Sequence, residues 1–98
     1  MKSQALLPHI AYEKNAEIYK VMANRTRLAI LNFVRDEEHS VEEISQYAGA
    51  RKANISQHLA LLRHSGLVTA RREGTNVYYK IIDPRIVEPC RILYGIWS

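Results

Sequence analysis

One run of sequence, from Ile55 to Ile81 (ISQHLALLRHSGLVTARREGTNVYYKI), constrains the fold more than any other part of the chain. Its first half has hydrophobic residues at positions 55, 59 and 62, which is the spacing of one face of an α-helix. Gly66 follows, and glycine readily adopts the left-handed conformation that ends many helices. The first half therefore predicts a helix that ends at Gly66.

The second half of the same run predicts a β-hairpin. Residues Val68 to Glu73 and Val77 to Ile82 have the composition of strands, and the polar loop Gly74-Thr75-Asn76 between them suits a hairpin turn. A major groove admits a helix, while a hairpin can follow the adjacent backbone or minor groove. A helix followed by a basic hairpin is therefore typical of a winged helix-turn-helix that binds duplex DNA.

The charges are placed unevenly along the chain, whose formal net charge is +4. Between Gly49 and Lys80 there are six basic residues and one acidic residue, Glu73. Between Asp36 and Glu43 there are five acidic residues and neither Lys nor Arg. A basic excess on the predicted helix and hairpin fits a surface that faces phosphate, although any single charge can equally be a solvated one.

Size and composition favour one globular domain over residues 1–98, combining DNA binding and dimerisation. No segment approaches the roughly 18 apolar residues of a membrane helix. The N-terminal sequence MKSQALLPHIAYEK is a poor signal peptide, and a lone cysteine cannot form an internal disulfide. We therefore expect a cytoplasmic protein that does not interact with membranes.

Four helices are predicted before the hairpin, from their caps and hydrophobic spacing. Asn24 can cap the second helix, and Ser40 with Glu43 forms a capping box for the third, which ends at Gly49. The short separation between the third and fourth helices is that of a helix-turn-helix. The predicted spans are Tyr12 to Met22, Asn24 to Val34, Ser40 to Gly49, and a fourth helix that begins near Arg51 or Lys52.

The last helix is predicted to begin at Asp83-Pro84 and is unusually apolar. Its apolar residues recur at spacings of three and four, so a surface must cover them. The first helix of a twin chain is the expected cover, because a symmetric contact buries the same patch twice. Packing within one chain is the alternative. The candidate interface residues are Tyr12, Tyr19, Val87, Cys90, Leu93, Tyr94 and Trp97.

The segment ISQHLALLRHSGLV, followed by R-x-G-x-x-V-Y-Y, closely resembles the recognition helix and wing of the ArsR/SmtB repressors. The likeness extends over roughly Val21 to Leu93, and Met22 to Leu28 is similar to the family's A-x-P-x-R-L opening. The resemblance implies an α-α-α-α-β-β-α winged helix-turn-helix that dimerises through its first and last helices. It also implies a transcriptional repressor that leaves its operator when an effector binds.

The candidate DNA-binding residues lie in the first turns of the fourth helix and on the hairpin. Asn and Gln can pair with adenine, Ser can contact bases or phosphate, and arginine on a wing reaches phosphate or a narrow minor groove. Arg51 stands where the family usually has Ser or Thr, and Ala53 where it often has Ser, which suggests a different operator. The candidates are Arg51, Lys52, Asn54, Ser56, Gln57, Arg71, Arg72, Thr75 and Asn76.

The metal sites known in similar repressors are not expected in this chain. Ser40-Val41-Glu42 stands where relatives carry Cys-Val-Cys, and Arg85 stands in place of a histidine in the last helix. Other relatives sense oxidants with two cysteines, whereas only Cys90 is present here. Cys90 is a candidate thiol sensor or a small hydrophobe in an apolar helix. No metal or cofactor is predicted, and the effector is open.

No catalytic role is predicted. The sequence has no phosphate-binding glycine loop, no cluster of metal ligands and no nucleophile with an identifiable base. The competing interpretations are a winged helix used as a protein-interaction module and a protein that coats DNA without regard to sequence. Salt dependence of binding and a comparison of operator with random duplex distinguish them.

Overall fold

The computed structural model describes residues 6–98. Its elements follow the order α1 (His9–Met22), α2 (Arg25–Phe33), β1 (His39–Ser40), α3 (Val41–Ala48), α4 (Lys52–His64), β2 (Val68–Glu73), β3 (Asn76–Ile81), a 3-10 helix (Pro84–Val87) and α5 (Glu88–Trp97). The predicted fold class, a mainly helical winged helix-turn-helix with a β-hairpin wing, is confirmed.

The predicted caps of α2 and α3 form as expected. The side chain of Asn24 accepts a hydrogen bond from the Arg27 amide, and the capping box of Ser40 and Glu43 is complete, with both hydrogen bonds between 3.0 and 3.2 Å. Gly49 ends α3 with φ of 66°, a left-handed conformation that costs glycine no steric clash. These caps fix the two ends of α3 and therefore the position of the turn that leads into α4.

The wing, β2 with β3, is an antiparallel hairpin whose pairs run from Val68–Ile81 to Glu73–Asn76. Since Asn76 is already paired, the loop has two residues, Gly74 and Thr75, and the predicted three-residue loop is wrong by one. Gly74 has φ of 63° at the first loop position, as in the tight hairpin turns that require glycine there.

A third strand, β1, was not predicted. Residues 39 and 40 pair with Tyr79 and Tyr78 of β3, so the strand order is β1-β3-β2. A two-residue strand is too short to show the alternation by which strands are recognised. Its consequence is that the acidic segment before α3 is attached to the edge of the wing.

Two helix starts differ from the prediction. α1 begins at His9 and not at Tyr12, because Pro8 has the extended conformation of a cap and its carbonyl accepts from the Ala11 amide at 2.9 Å. The last helix is split into a 3-10 turn and α5. Pro89 has no amide hydrogen and is tolerated only in the first turn of a helix, so α5 starts anew one residue before it.

The core lies where α2, α3, α4 and the wing meet. It consists of Met22, Ile30, Leu31, Val34, Ile44, Ile55, Leu59, Leu62, Leu67, Val68, Ile81 and Val87. Val87 is fully buried among residues of its own chain, so its predicted place in a dimer interface is corrected. α5 contributes no buried residue to this core. Within residues 6–98, no helix is long and apolar enough to cross a bilayer.

Candidate nucleic-acid interface

α4 has one buried face and one exposed face. Ile55, Leu59 and Leu62 are completely buried against the core. Five residues at the N-terminal end of α4, its N-cap included, are predicted to contact DNA, and all five are exposed: Arg51, Lys52, Asn54, Ser56 and Gln57. Since the hydrophobic side is held by the core, the polar side is presented rigidly to the outside. We call α4 the recognition helix.

A partly buried side-chain hydrogen bond attaches the recognition helix to α2. Arg27 donates from Nε to Nδ1 of His58 at 3.2 Å and from Nη1 to the Val21 carbonyl at 3.1 Å. Partial burial, and then the charge of Arg27, lower the pKa of His58 below its ordinary value of 6.5. The neutral imidazole therefore anchors α4 to the helix that precedes the helix-turn-helix.

The wing tip lies beside the first turn of the recognition helix. A shallow cavity of about 180 Å³ separates them, and it is lined by Ser40, Val41, Glu42, Lys52, Thr75, Asn76 and Val77. We call it the wing-tip cavity. Three of the predicted DNA-binding residues (Lys52, Thr75 and Asn76) thus share one surface, although 23 to 24 positions separate the lysine from the other two.

Arg71 and Arg72 lie on opposite faces of the wing, because alternate residues of a strand point to opposite sides. Arg72 is paired with Val77 and shares the face of the buried Val68. Arg71 is paired with Tyr78, and its guanidinium carbon lies 5.0 Å from the centre of that ring. Sequence reasoning treated the two arginines as equivalent, and the structure separates them.

Arg71 is held by two carboxylates. Its Nε lies 3.1 Å from both carboxylate oxygens of Glu38, its Nη2 also contacts Glu38, and its Nη1 lies 3.3 Å from Glu73. The hydrogen bonds that Arg71 donates to Glu38 lower the pKa of Glu38 and raise the pKa of Arg71. A phosphate would have to displace these carboxylates, which makes Arg71 the weaker candidate for a DNA contact.

Another residue of the acidic run, Glu42, approaches the recognition helix. The Lys52 ammonium lies 3.7 Å from a carboxylate oxygen of Glu42 in the wing-tip cavity. The acidic run from Asp36 to Glu43 is visible in the sequence, but its contact with the basic residues was not predicted. The contact forms because β1 pairs with the wing and α3 begins beside the recognition helix, so that Glu38 reaches Arg71 and Glu42 reaches Lys52.

Three of the candidate interface residues, Tyr19, Cys90 and Leu93, border an apolar groove between α1 and α5. The groove has a volume of about 300 Å³ and is lined by Tyr19, Met22, Ala23, Leu28, Ile86, Pro89, Cys90 and Leu93. The Cys90 thiol is partly buried there, and the amide nitrogen of Asn32 lies 3.8 Å from its sulfur. The described residues contain no group of three side chains suited to hold a metal ion.

α5 carries exposed apolar side chains both in the groove and outside it. Leu93 is 60% exposed and Trp97 is 70% exposed. The rings of Tyr94 and Trp97 pack edge to face with centres 5.1 Å apart. Tyr12, on α1, is also exposed, and its hydroxyl accepts a hydrogen bond from the Leu7 amide at 3.0 Å. In all, α5 exposes five large hydrophobic residues, which is typical of a surface that contacts a partner: Ile92, Leu93, Tyr94, Ile96 and Trp97.

The α3-turn-α4 unit with an adjoining wing defines a winged helix-turn-helix DNA-binding protein. The sequence profile of the family described as "Bacterial regulatory protein, arsR family" matches residues 24–70. This chain belongs to the ArsR family of helix-turn-helix transcriptional regulators. Family membership confirms the predicted resemblance, and it makes the chain a DNA-binding regulator and not an enzyme.

Several relatives are similar over most of this chain. The transcriptional regulator KmtR of Mycobacterium tuberculosis is 38% identical over 70 residues, which are 71% of this chain and 54% of KmtR. The chain thus spans about half the length of that relative. The "Probable mercury resistance operon repressor" of Streptomyces lividans is 32% identical, covering 90% of this chain and 77% of the repressor. The transcriptional activator HlyU of Vibrio cholerae is 36% identical, and the match covers 87% of this chain and 82% of HlyU.

Solved structures have the same fold. Reduced HlyU from V. cholerae superposes with a TM-score of 0.81 at 33% identity, covering 92% of this chain and 95% of HlyU. The homodimeric winged helix-turn-helix domain of Mb0332 from Mycobacterium bovis superposes with a TM-score of 0.75 at 31% identity. The match covers 98% of this chain and 89% of the Mb0332 domain. The agreement extends beyond the profile-matched segment to the first and last helices.

Proposed function

We propose that this chain represses transcription as a homodimer that reads an imperfect inverted repeat and leaves it when an effector binds. The observation that carries the proposal is the wing-tip cavity, where Thr75 and Asn76 lie beside Lys52 at the start of the recognition helix. A helix end and a hairpin tip on one surface match a major groove and the backbone beside it.

Base recognition falls to the exposed polar residues of the first turns of α4. Asn54 and Gln57 each carry a paired donor and acceptor that match adenine, and Ser56 can bond to bases or phosphate. Arg51 and Lys52 supply phosphate or guanine contacts. On the wing, Arg72, Thr75 and Asn76 contact the backbone or minor groove, and Arg71 takes part only if it leaves Glu38.

Dimerisation supplies the second recognition helix. The exposed apolar surface of α5 and the groove it forms with α1 would be covered by the same surface of a second copy, as a two-fold contact requires. The homodimeric state of Mb0332 supports this arrangement. The proposed interface comprises Tyr12, Tyr19, Cys90, Leu93, Tyr94 and Trp97, and residues 1–98 act as one domain in the cytoplasm, where the DNA is.

The α1–α5 groove is the proposed place where an effector acts to release the protein from its operator, because a ligand there would also change the dimer contact. Cys90 lies in that groove and has two proposed roles, thiol sensing and packing. Binding of reduced and peroxide-treated protein to DNA, compared with Cys90→Ser, separates the two. If Cys90 is a thiol sensor, peroxide lowers the DNA affinity of the wild-type protein but not that of Cys90→Ser. If Cys90 is a packing residue, peroxide has the same effect on the DNA affinity of both proteins.

Hydroxyl-radical footprinting on the DNA upstream of the protein's own gene tests the proposal. We expect two protected segments about 10 base pairs apart, or a small multiple of that, related by an inverted repeat. Gln57→Ala should lose the protection, while His64→Ala, an exposed residue at the far end of α4, should retain it. Uniform protection along the duplex would indicate a coating protein. No protection would favour a protein-interaction module.

Repression itself is tested with a reporter gene under the same promoter. HlyU is a transcriptional activator, so DNA-binding geometry alone does not fix the sign of regulation. We expect reporter expression to rise when the gene for this chain is deleted and to fall again when it is restored. A fall on deletion would contradict repression and leave DNA binding intact.

A further inference from the structure

A second polar cavity, on the other side of the helix-turn-helix, is not accounted for by the contacts above. It has a volume of about 590 Å³ and is lined by Arg25, Thr26, Ala29, Tyr47, Ala48, Gly49 and Ala50. It therefore lies between the start of α2 and the turn that leads into the recognition helix. Ala50 directly precedes Arg51, the N-cap of α4. We call it the turn cavity.

The side chains of the turn cavity offer hydrogen-bond donors and a positive charge. Arg25, Thr26 and Tyr47 make no side-chain hydrogen bond or ion pair with any residue between 6 and 98. No acidic residue lines the cavity. In contrast, Lys52 and Arg71 are both paired with carboxylates. The guanidinium of Arg25 is thus a cation beside the turn that leads into the recognition helix, and no carboxylate of residues 6–98 neutralises it.

Tyr47 is held in place although it is exposed. Its ring stacks on Phe33 with centres 4.2 Å apart and an angle of 8° between planes, and His39 stacks on Phe33 at 4.0 Å. Tyr47 is still 56% exposed, and it lines the turn cavity. A fixed ring loses little conformational entropy when its hydroxyl binds a ligand, which favours binding.

The two polar cavities lie at opposite ends of α3. The wing-tip cavity includes residues 40–42 at its start, and the turn cavity includes residues 47–50 at its end. A helix of eight residues is about 12 Å long, at a rise of about 1.5 Å per residue. Cavities at the two ends of α3 can therefore contact different phosphates of one duplex.

We propose that the turn cavity binds a DNA backbone phosphate at the edge of each half-site, through the Arg25 guanidinium and the Tyr47 and Thr26 hydroxyls. This inference rests on the proposed function, because it assumes that the first turns of α4 enter the major groove. Such a contact positions the protein and adds affinity without reading bases. It extends the DNA contact surface from α4 and the wing to the start of α2.

The test compares Arg25→Ala, Tyr47→Phe and Lys14→Ala with the wild-type protein by fluorescence anisotropy, on the upstream DNA and on random duplex, across a salt series. Arg25→Ala should weaken binding about tenfold on both duplexes and flatten the salt dependence by about one ion. Tyr47→Phe keeps the stacked ring and removes only the hydroxyl, so a loss of about threefold is expected. Lys14→Ala removes the same charge from an exposed position on α1 and should change little.

A second measurement locates the phosphate. Single flanking phosphates of the upstream DNA are replaced by neutral methylphosphonates, one at a time. One position should weaken the wild-type protein and leave Arg25→Ala unaffected, because the variant has already lost that contact. Equal binding by Arg25→Ala and wild type, or an equal loss in Lys14→Ala, would overturn the inference alone. No salt-sensitive binding of either duplex by the wild-type protein would overturn the proposed function as well.

Discussion

Arg27 and His58 join α2 to the recognition helix by a single side-chain hydrogen bond, from Nε of the arginine to Nδ1 of the histidine at 3.2 Å. The bond requires an unprotonated Nδ1, so the ring is neutral with its hydrogen on Nε2. The same arginine also donates to the Val21 carbonyl near the end of α1. Protonation of Nδ1 would break this bond, so the contact between α2 and the recognition helix depends on the neutral form of His58.

The pH dependence of stability follows from the lowered pKa of His58. The unfolded chain binds a proton near pH 6.5, whereas the folded chain binds it only at lower pH. The neutral His58 side chain therefore makes its full contribution to the free energy of unfolding above pH 6.5. This contribution is lost as the pH falls from 6.5 through the pKa of His58 in the folded chain. Urea unfolding between pH 8 and pH 5 should show this decline. His58→Gln should remove it, and His64→Gln should leave it; an unchanged pH profile in His58→Gln would contradict the assignment.

The two wing arginines should differ in their effect on DNA affinity. Arg72 makes no ion pair within the described residues, so Arg72→Ala should weaken binding about tenfold on any duplex and reduce the salt dependence by about one ion. Arg71 is already paired with Glu38 and Glu73, so Arg71→Ala should cost less. Anisotropy titrations of both variants make the comparison. A greater loss from Arg71→Ala would contradict the conclusion that Arg72 is the stronger DNA contact.

Releasing Lys52 from its carboxylate should strengthen DNA binding. Glu42→Gln removes the negative charge 3.7 Å from the Lys52 ammonium and leaves the size of the side chain nearly unchanged. We expect affinity to rise a few-fold on both operator and random duplex at low salt and the gain to shrink at high salt. Glu37→Gln, in the exposed acidic turn, is the control for net charge. If both variants gain equally, the effect is that of net charge and not of this pair.

Dimerisation should depend on the exposed face of α5. Leu93→Glu places a charge in the apolar groove beside α1 and should yield a monomer in analytical ultracentrifugation at micromolar concentration. Because Leu93 is 60% exposed in one chain, the folded monomer should persist by circular dichroism. Arg91→Glu, exposed on the same helix, should stay dimeric. A dimeric Leu93→Glu would place the contact elsewhere.

Local signals allowed much of this fold to be predicted from the sequence. The capping box of Ser40 and Glu43, and the left-handed Gly49 and Gly66, each act within a few residues, so they are visible along the chain. The exposed polar face at the start of α4 was likewise predicted from helical spacing. The split of the last helix was not predicted, because Asp83-Pro84 is a start signal by itself and Pro89 begins a second helix only five residues later.

Contacts between distant positions were not predictable in the same way. Arg71 and Glu38 are 33 residues apart, and only the pairing of β1 with β3 brings them together. The turn cavity similarly requires the packing of α2 against the end of α3, which no local pattern encodes. Composition suggested that acidic and basic segments were separate, whereas the fold places one against the other.

The most direct test of the central claim is fluorescence anisotropy of the reduced protein on its own upstream DNA and on random duplex of equal length, across a salt series. We predict tight, salt-sensitive binding that favours the upstream DNA by at least about a thousandfold, a typical ratio for specific regulators. Equal affinity for the two duplexes, or no binding to either, would contradict a sequence-specific regulator.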